Sequence, residues 1–528
     1  MDHGIDGPCY TCRNRRIQCD QSGRPCGKCQ KAGLECLDKR PFKWVKGVAI
    51  RGKLQGHSYE NASSSSTSIK DKPAGSTKPK RALMRTSARR DRRFDSLGST
   101  SGSSSAPSLP GLSLIIQDPT FSALDKTSKY YIDYYHARIC QLFIVYDTDR
   151  NPFRSLIPLG LKSPVLMKAL LALAARHHVN KGQSFHEPES PTSPQLVTAN
   201  RHALAFKHQA MEALSNSLTD PNLSKQDTTV ASIFLLVFLD LLESGSDGWN
   251  FHLEGAKNLI ASTYPQSGSQ SGINHGPGQT VQEIRSFITK QIKVIETLGA
   301  TFLRPKLLSY FDSFEQQERQ LQETIESSFL GCPDYLLSAM QLLSMQRDSI
   351  SDPNHLDKST MESHIKETKS LLEMTQNFDC YAWASGLPQS RTPSPSEIIS
   401  LCSLSRSYKI GTFIYGRRIL DAMTGETTVL DDMVAELLGL IDSLQNDQIM
   451  FKCVLWPIFI AGLECKWQPQ REFLIACAER FWDITNCLNA VNAAKILQEY
   501  WRQTDASRQG QSQWIFDIGR LGRDWLWI

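Results

Sequence analysis

Apolar residues recur at helical spacing over most of the chain from about residue 118 onward, and that period sets the predicted elements. Ser163-Pro164 supplies an N-cap and a first helical residue for Val165 to Val179, whose run VLMKALLALAARHHV is apolar enough to be buried on most sides. An amphipathic helix is expected over Val197 to Leu218, stopping before Asp220-Pro221. Val230 to Leu242 is apolar almost all round, the pattern of a central core helix, and a further helix over Trp249 to Ile260 begins at Asp247. Alternating strand-like runs separated by turn pairs are absent, so residues 118–528 read as one large all-α domain.

Ahead of that domain the composition changes. Residues 55–117 consist mainly of Ser, Thr, Gly, Pro and Lys, with too few apolar side chains to form a core, and are expected to be a disordered linker. Two basic clusters lie in it, Lys78-Pro79-Lys80-Arg81 and Arg89-Arg90-Asp91-Arg92-Arg93, with the character of a nuclear import signal and a general attraction for phosphates. Residues 1–54 form a third segment. Over Leu37 to Gly56, at its end and into the linker, Pro41, Gly47, Gly52 and Gly56 interrupt every heptad, which disfavours dimerisation through a coiled coil there, and Phe42 and Trp44 are expected to cover the module before them or, as the lesser alternative, to lie along the phosphate backbone.

That module is CYTCRNRRIQCDQSGRPCGKCQKAGLEC, with six cysteines between Cys9 and Cys36. Cys9, Cys12 and Cys19 repeat their spacing in Cys26, Cys29 and Cys36, so one small helix-loop unit occurs twice. Three thiolates per half are one short of the tetrahedral set of a structural zinc ion. Two ions need eight coordination positions, and six cysteines fill them only when two sulfurs bridge; Cys9 and Cys26, at the same place in each half, are the expected pair. Six thiolates against two Zn2+ leave excess negative charge, which invites basic neighbours: Arg13, Arg15, Arg16, Arg24, Lys28 and Lys31. Three disulfides in a secreted knot would need an export signal, and Asp-His-Gly-Ile-Asp after Met1 has no apolar core for one. A protein-binding zinc module is the other alternative, and it has against it a basic inter-ligand segment and no histidine in the ligand pattern.

Charge points to a polyanion. Residues 1–100 carry 22 Lys and Arg against 9 Asp and Glu, a net +13, so a whole-chain charge of +5 leaves −8 on the rest. Residues Arg13 to Gln18 hold three arginines and no acid, and a short helix is expected to present them. Arginine's planar fork matches the O6 and N7 acceptors of guanine, and Arg15 and Arg16 are the candidates for reading bases. Arg13, Arg24 and Lys28 divide evenly between base reading and phosphate contacts that position without specifying.

The module resembles the fungal Zn2Cys6 binuclear-cluster transcription factors: it matches their six-cysteine spacing, the basic run after the second cysteine, Cys19-Asp20, Pro25 and Lys-x-Gly-Leu-x-Cys from Lys31 to Cys36. The resemblance implies two Zn2+ ions, double-stranded DNA as partner, a CGG triplet read from the end of the basic run, and RNA polymerase II transcription in a nucleus. Gln18 stands where a lysine is usual in the family. In the helical region, Asn151 to His177, Leu239 to Ile260, Tyr408 to Leu420 and Val454 to Cys465 are similar to the fungal-specific transcription factor regulatory domain. That likeness implies co-regulators or transcription machinery, a small-molecule effector and a second copy of the chain as further partners. The competing reading is an interaction scaffold whose zinc module docks a protein and selects no DNA sequence.

An enzyme is not indicated. Walker loop, His-Glu-x2-His, Gly-x-Ser-x-Gly and a Rossmann glycine pattern are all missing. His177-His178 are expected in capping or solvent roles, and Tyr130, Tyr131, Tyr134 and Tyr135, on one side of a helix, in packing, with an aromatic ligand pocket as the lesser alternative. Cys140, Cys332, Cys380, Cys402, Cys453, Cys465, Cys477 and Cys487 are scattered through apolar helical stretches and read as small core residues. No apolar run reaches the length of a membrane span. Ser267 to Gly278 and Ser385 to Ser396 read as surface loops, the second with two Pro-directed phosphate acceptors, Thr392 and Ser394.

Overall fold

The computed structural model describes residues 8–37, apart from 21, 23–24 and 35, and residues 119–528, apart from 189–192, 247, 264–278, 304–327, 329, 352–356, 388–392, 507–512 and 519–522. The expected linker with its basic clusters, Phe42, Trp44, Arg24, Thr392 and the Ser267 to Gly278 stretch lie outside the described residues. The chain divides into two compact units, the first ending at Gly102 and the second beginning at Ser103.

The first unit contains two five-residue helices, α1 (Tyr10–Asn14) and α2 (Gly27–Lys31), packed around the cysteines. Neither is long enough to be stable on its own, so what holds them must be the sulfur-lined centre they share.

The described residues of the second unit form helices joined by turns and loops; among them there is no strand, only an isolated antiparallel bridge between Ser246 and Trp525. Its first half holds α3 (Pro119–Ala123), α4 (Lys126–Tyr134) running into a π-helical turn at Tyr135–Ile139, α5 (Pro152–Lys162), α6 (Pro164–Asn180), α7 (Pro194–Thr219), α8 (Asp227–Glu243), α9 (Trp249–Thr263) and α10 (Gln279–Ala300). Every residue of α8 from Thr229 to Leu242 is buried, as its all-round apolar sequence requires. Helices α6 and α9 pack against it, and Phe234 and Phe238 meet Phe153 edge to face or stacked.

The second half holds α11 (Asp334–Ile350), α12 (Lys358–Asn377), α13 (Cys380–Gly386), α14 (Pro395–Thr424), α15 (Asp431–Leu444), α16 (Gln448–Phe451), α17 (Leu455–Glu464), α18 (Gln468–Thr485), α19 (Leu488–Ala506) and α20 (Trp514–Asp517). The 30-residue α14 is its axis, with α11, α12, α13, α15 and α17 against it. Ser394 and Glu397 form a reciprocal capping box at its start, and Gly425 ends it in the left-handed conformation. Ser385 to Ser396 is therefore not a loop throughout: Ser385 is in α13 and Ser394 is a helix cap.

The two halves interlock. Helix α19 packs on α8, and Asn180 Nδ2 donates to Leu242 O (2.6 Å) and Asn486 O (3.0 Å). Residues 524–528 close the seam: Trp249 Nε1 donates to Asp524 O (2.9 Å), Leu526 N to Gly245 O (2.9 Å), and Asn489 Nδ2 to Ile528 O (3.1 Å). Trp527 is fully buried there, beside Phe459 and stacked on Trp525.

His177 is buried rather than solvent-facing, because Tyr134 Oη meets its Nδ1 at 2.9 Å across the α4–α6 interface; His178 Nε2 meets Tyr130 Oη at 3.0 Å. Among the scattered cysteines all are buried except the half-buried Cys402. No described helix is long and apolar enough to cross a membrane.

Candidate metal centre and nucleic-acid surface

The two halves of the module enter their helices in the same way. Cys9 is the N-cap of α1 (φ −60°, ψ 151°) and Cys26 of α2 (φ −67°, ψ 150°), so each first cysteine sits at a helix start and the cysteine three residues on points to the same side. The Cys12 N–H donates to Cys9 Sγ (3.3 Å), the main cause that pulls the Cys9 thiol down to about 6 and favours its thiolate. Cys26 N donates in the same sense to Cys36 Sγ at 3.4 Å.

The sulfurs converge. Sγ–Sγ distances are 3.7 Å for Cys9–Cys26, 3.7 Å for Cys9–Cys29, 3.6 Å for Cys12–Cys26 and 3.9 Å for Cys9–Cys19. These are far beyond a disulfide bond of about 2.05 Å. They match instead the edge of a thiolate tetrahedron, about 3.8 Å when each sulfur is about 2.3 Å from a central zinc. Two four-sulfur sets have all their ligand atoms within 4.8 Å of one another: Cys9, Cys12, Cys19 and Cys26, and Cys9, Cys26, Cys29 and Cys36. The pair common to both sets is Cys9 and Cys26. All but Cys36 are buried.

Polar contacts hold the loops around this centre. Asp20 Oδ1 accepts from Gly27 N (3.1 Å), Ser22 N (3.4 Å) and Ser22 Oγ (3.0 Å), joining the loop between the halves to the start of α2. Desolvation pushes the Asp20 carboxyl up, but these hydrogen bonds outweigh it and hold it below its usual range. A Cβ at Gly27 would come within 2.7 Å of Asp20 Oδ2, so the position needs glycine unless the carboxylate moves. Tyr10 N donates to Leu37 O (2.7 Å) and Leu37 N to Thr11 Oγ1 (3.1 Å), which ties the chain after Cys36 to the first helix.

The basic run is not one helix from Arg13 to Gln18. Helix α1 stops at Asn14, Arg15 is its C-cap, and Arg16 takes φ +54°. Arg16 N donates to Arg13 O (3.1 Å) and Ile17 N to Cys12 O (3.1 Å), the paired bonds of a Schellman stop, which turns Arg16, Ile17 and Gln18 off the helix axis. The second half repeats this at Gly33, where φ is +62°, Gly33 N donates to Gln30 O (3.2 Å) and Leu34 N to Cys29 O (3.1 Å). Sequence reasoning missed the stop; the internal repeat, which aligns Gly33 with Arg16, carried the signal. Arg13, Arg15, Arg16, Gln18 and Lys28 are all exposed.

Residues 7–44 match the model of the fungal Zn(2)-Cys(6) binuclear cluster domain, and residues 130–528 match that of the fungal specific transcription factor domain. The chain belongs to the fungal-specific transcription factors. The acriflavine sensitivity control protein acr-2 of Neurospora crassa is similar to it, at 24% identity over 430 residues covering 77% of this chain and 67% of that protein. No solved structure matches it significantly. As a fungal-specific transcription factor the chain is a zinc-binding, DNA-binding regulator of transcription and not an enzyme, and the buried thiol donors described above fit that metal.

Proposed function

We propose that this transcription factor reads CGG-like triplets in double-stranded DNA and regulates RNA polymerase II transcription in the nucleus. The observation that carries the proposal is the pair of four-sulfur sets sharing Cys9 and Cys26, with an exposed arginine run leaving directly from one of them. Six thiolates around two shared positions suit two Zn2+ ions bridged by Cys9 and Cys26. Bound zinc supplies rigid four-coordinate cross-links in a module too small to fold on apolar burial.

The chain's own residues do the recognition. Arg15 and Arg16, carried past the end of α1, are assigned to guanine edges, and Arg13, Arg24 and Lys28 to base edges or phosphates. Gln18, with no charge, reaches a phosphate or a base by its amide. The helical domain is assigned the reception of a chemical signal and the recruitment of co-regulators, as a single chain or a pair. The related protein's name links that protein to acriflavine sensitivity, and we extend to this chain a role in the response to a toxic compound.

Selection from random duplex DNA with the zinc-loaded chain tests the reading. Enrichment of a CGG-containing site supports it. A chain that binds zinc but enriches no motif would instead be a protein-docking scaffold.

A further inference from the structure

Helix α7 buries Ala199, Ala203, Phe206, Ala210 and Leu214, packs on α6, and has α4 and α8 at its flanks. Its opposite face is not the polar surface that a helix at the edge of a domain ordinarily shows. Val197, Leu204 and Leu218 are 46%, 55% and 40% exposed, and Met211 is half-buried in line with them. Single apolar residues scattered over a surface need no explanation, but these four recur every seventh residue. Seven residues are two helical turns with a drift of only about 20°, so the four positions form one row about 32 Å long.

The residues between them complete the pattern. Arg201, His208 and Ser215 each stand four residues after one apolar position and three before the next, the alternation of a two-stranded helical seam. Among the described residues no helix lies over this row, as the exposure of Leu204 shows.

Self-complementarity chooses the occupant. When α7 of a second copy is laid antiparallel about a twofold axis beside His208, Leu218 of that copy comes opposite Val197 and its Met211 opposite Leu204, and each contact occurs twice. The same register carries Arg201 to within reach of Glu212 of the second copy. Both side chains are exposed, and neither has an ion-pair partner among the described residues. Within one chain about 16 Å of helix separates them, too far for a pair. A parallel arrangement would set each of these charges beside its own copy, like against like.

We propose that the exposed face of α7 is a dimer surface, on which a second copy of this chain seats its own α7 in antiparallel orientation through Val197, Leu204, Met211 and Leu218. The proposal rests on the assignment of the helical domain as a single chain or a pair: it decides for the pair and places its contact.

The test uses the full-length, zinc-loaded protein without DNA. Sedimentation over a micromolar concentration series should show a reversible rise from the chain mass of 59.3 kDa to twice that value. Leu204→Glu, at an exposed side chain, puts a carboxylate into the apolar row and should weaken association at least about tenfold while circular dichroism stays helical. Arg201→Glu and Glu212→Arg should each weaken association by about three- to tenfold. An equal mixture of these two variants should associate at least as tightly as the parent, because opposite charges then meet at both ends of the seam; native mass spectrometry identifies the mixed pair.

A chain that stays single throughout, a dimer that Leu204→Glu leaves unchanged, or charge variants that do not recover on mixing would each overturn the proposal. Should Leu204→Glu lose its helical dichroism, the charge variants and their mixture decide alone. A chain that selects CGG-containing DNA but stays single loses the α7 surface only. One that pairs through α7 and selects no DNA loses the DNA reading only.

Discussion

Arg16 holds, at φ +54°, the backbone conformation that its counterpart Gly33 holds at φ +62°. The two positions end the two helices of the module with the same hydrogen bonds, yet only one is occupied by the residue that adopts this conformation freely. A left-handed arginine costs about 1 to 2 kcal/mol. A side chain retained there at such a cost fits a role outside the fold.

Arg16→Gly should therefore leave the module's zinc content and stability equal or slightly improved, while binding to the preferred DNA site falls by roughly five- to 150-fold relative to random DNA, the value of a two-point base contact of about 1 to 3 kcal/mol. Gel shifts at several salt concentrations check it. Equal losses on both DNAs would make Arg16 a phosphate contact, and no loss on either would leave it a structural residue.

Loss of a shared sulfur should differ from loss of an unshared one. Cys26→Ala removes a donor from both four-sulfur sets and should lower the zinc bound per chain from two to near zero, whereas Cys36→Ala breaks only the second set and should retain about one ion. Native mass spectrometry counts the ions directly. If the two variants lose the same amount, Cys26 is not shared between metals.

His252 Nε2 lies 3.5 Å from Asp240 Oδ2 in the core of the helical domain. Burial pushes the Asp240 carboxyl up from 3.8 to about 7, with Lys207 opposing and Glu243 adding; burial pulls His252 down from 6.5 to about 4, with Lys207 adding. The two act in opposite directions. Asp240 contributes stability that is full below its unfolded value and lost as pH rises toward 7, while His252 contributes stability that is full above 6.5 and lost as pH falls toward 4. Between about 4 and 6.5 they offset, so the parent domain gets little pH dependence from this pair. His252→Gln should make the domain gain stability as pH falls from 7 to 5, on the order of 1 kcal/mol per pH unit, and Asp240→Asn should reverse the slope. Denaturant midpoints of both variants against the parent, read by tryptophan fluorescence, measure it. Parallel pH curves for all three proteins would show that the pair does not titrate in this range.

Gly411 packs its α-carbon against Trp456, and a Cβ there would come within 2.6 Å of the ring at Cζ3. The indole cannot easily retreat: it stacks on Tyr408 at 5.8 Å and donates Nε1–H to Thr301 Oγ1 at 3.0 Å. Gly411→Ala should destabilise the helical domain by about 1 to 3 kcal/mol despite alanine's better helix propensity. Gly439, with nothing near its Cβ position, is the control, and Gly439→Ala should be neutral or stabilising. Thermal melts of the pair separate packing from propensity.

What could be read from the sequence was whatever depends on local order. Core helices announced themselves through all-round apolar runs, as in Val230 to Leu242, and the Ser163-Pro164 start falls where it was expected. Spacing grouped the six cysteines into one site and narrowed the common pair to three symmetry-related choices, of which Cys9 and Cys26, the expected one, are the pair the two four-sulfur sets share. Long-range features were not legible. Nothing local in residues 166–180 indicates that His177 meets Tyr134, and two charge pairs join Arg418 to Glu464 and Arg471 to Asp505, partners 46 and 34 positions apart. The end of α1 was missed because a basic run looks helical by propensity, while two backbone hydrogen bonds decide where it stops.

The contacts of residues 524–528 make the two halves of the helical domain mechanically interdependent. Asp524, Leu526 and Ile528 all accept or donate across a seam that includes Trp249 and Asn489, so a perturbation that opens this seam should release both halves together and the helical domain should unfold as one cooperative unit.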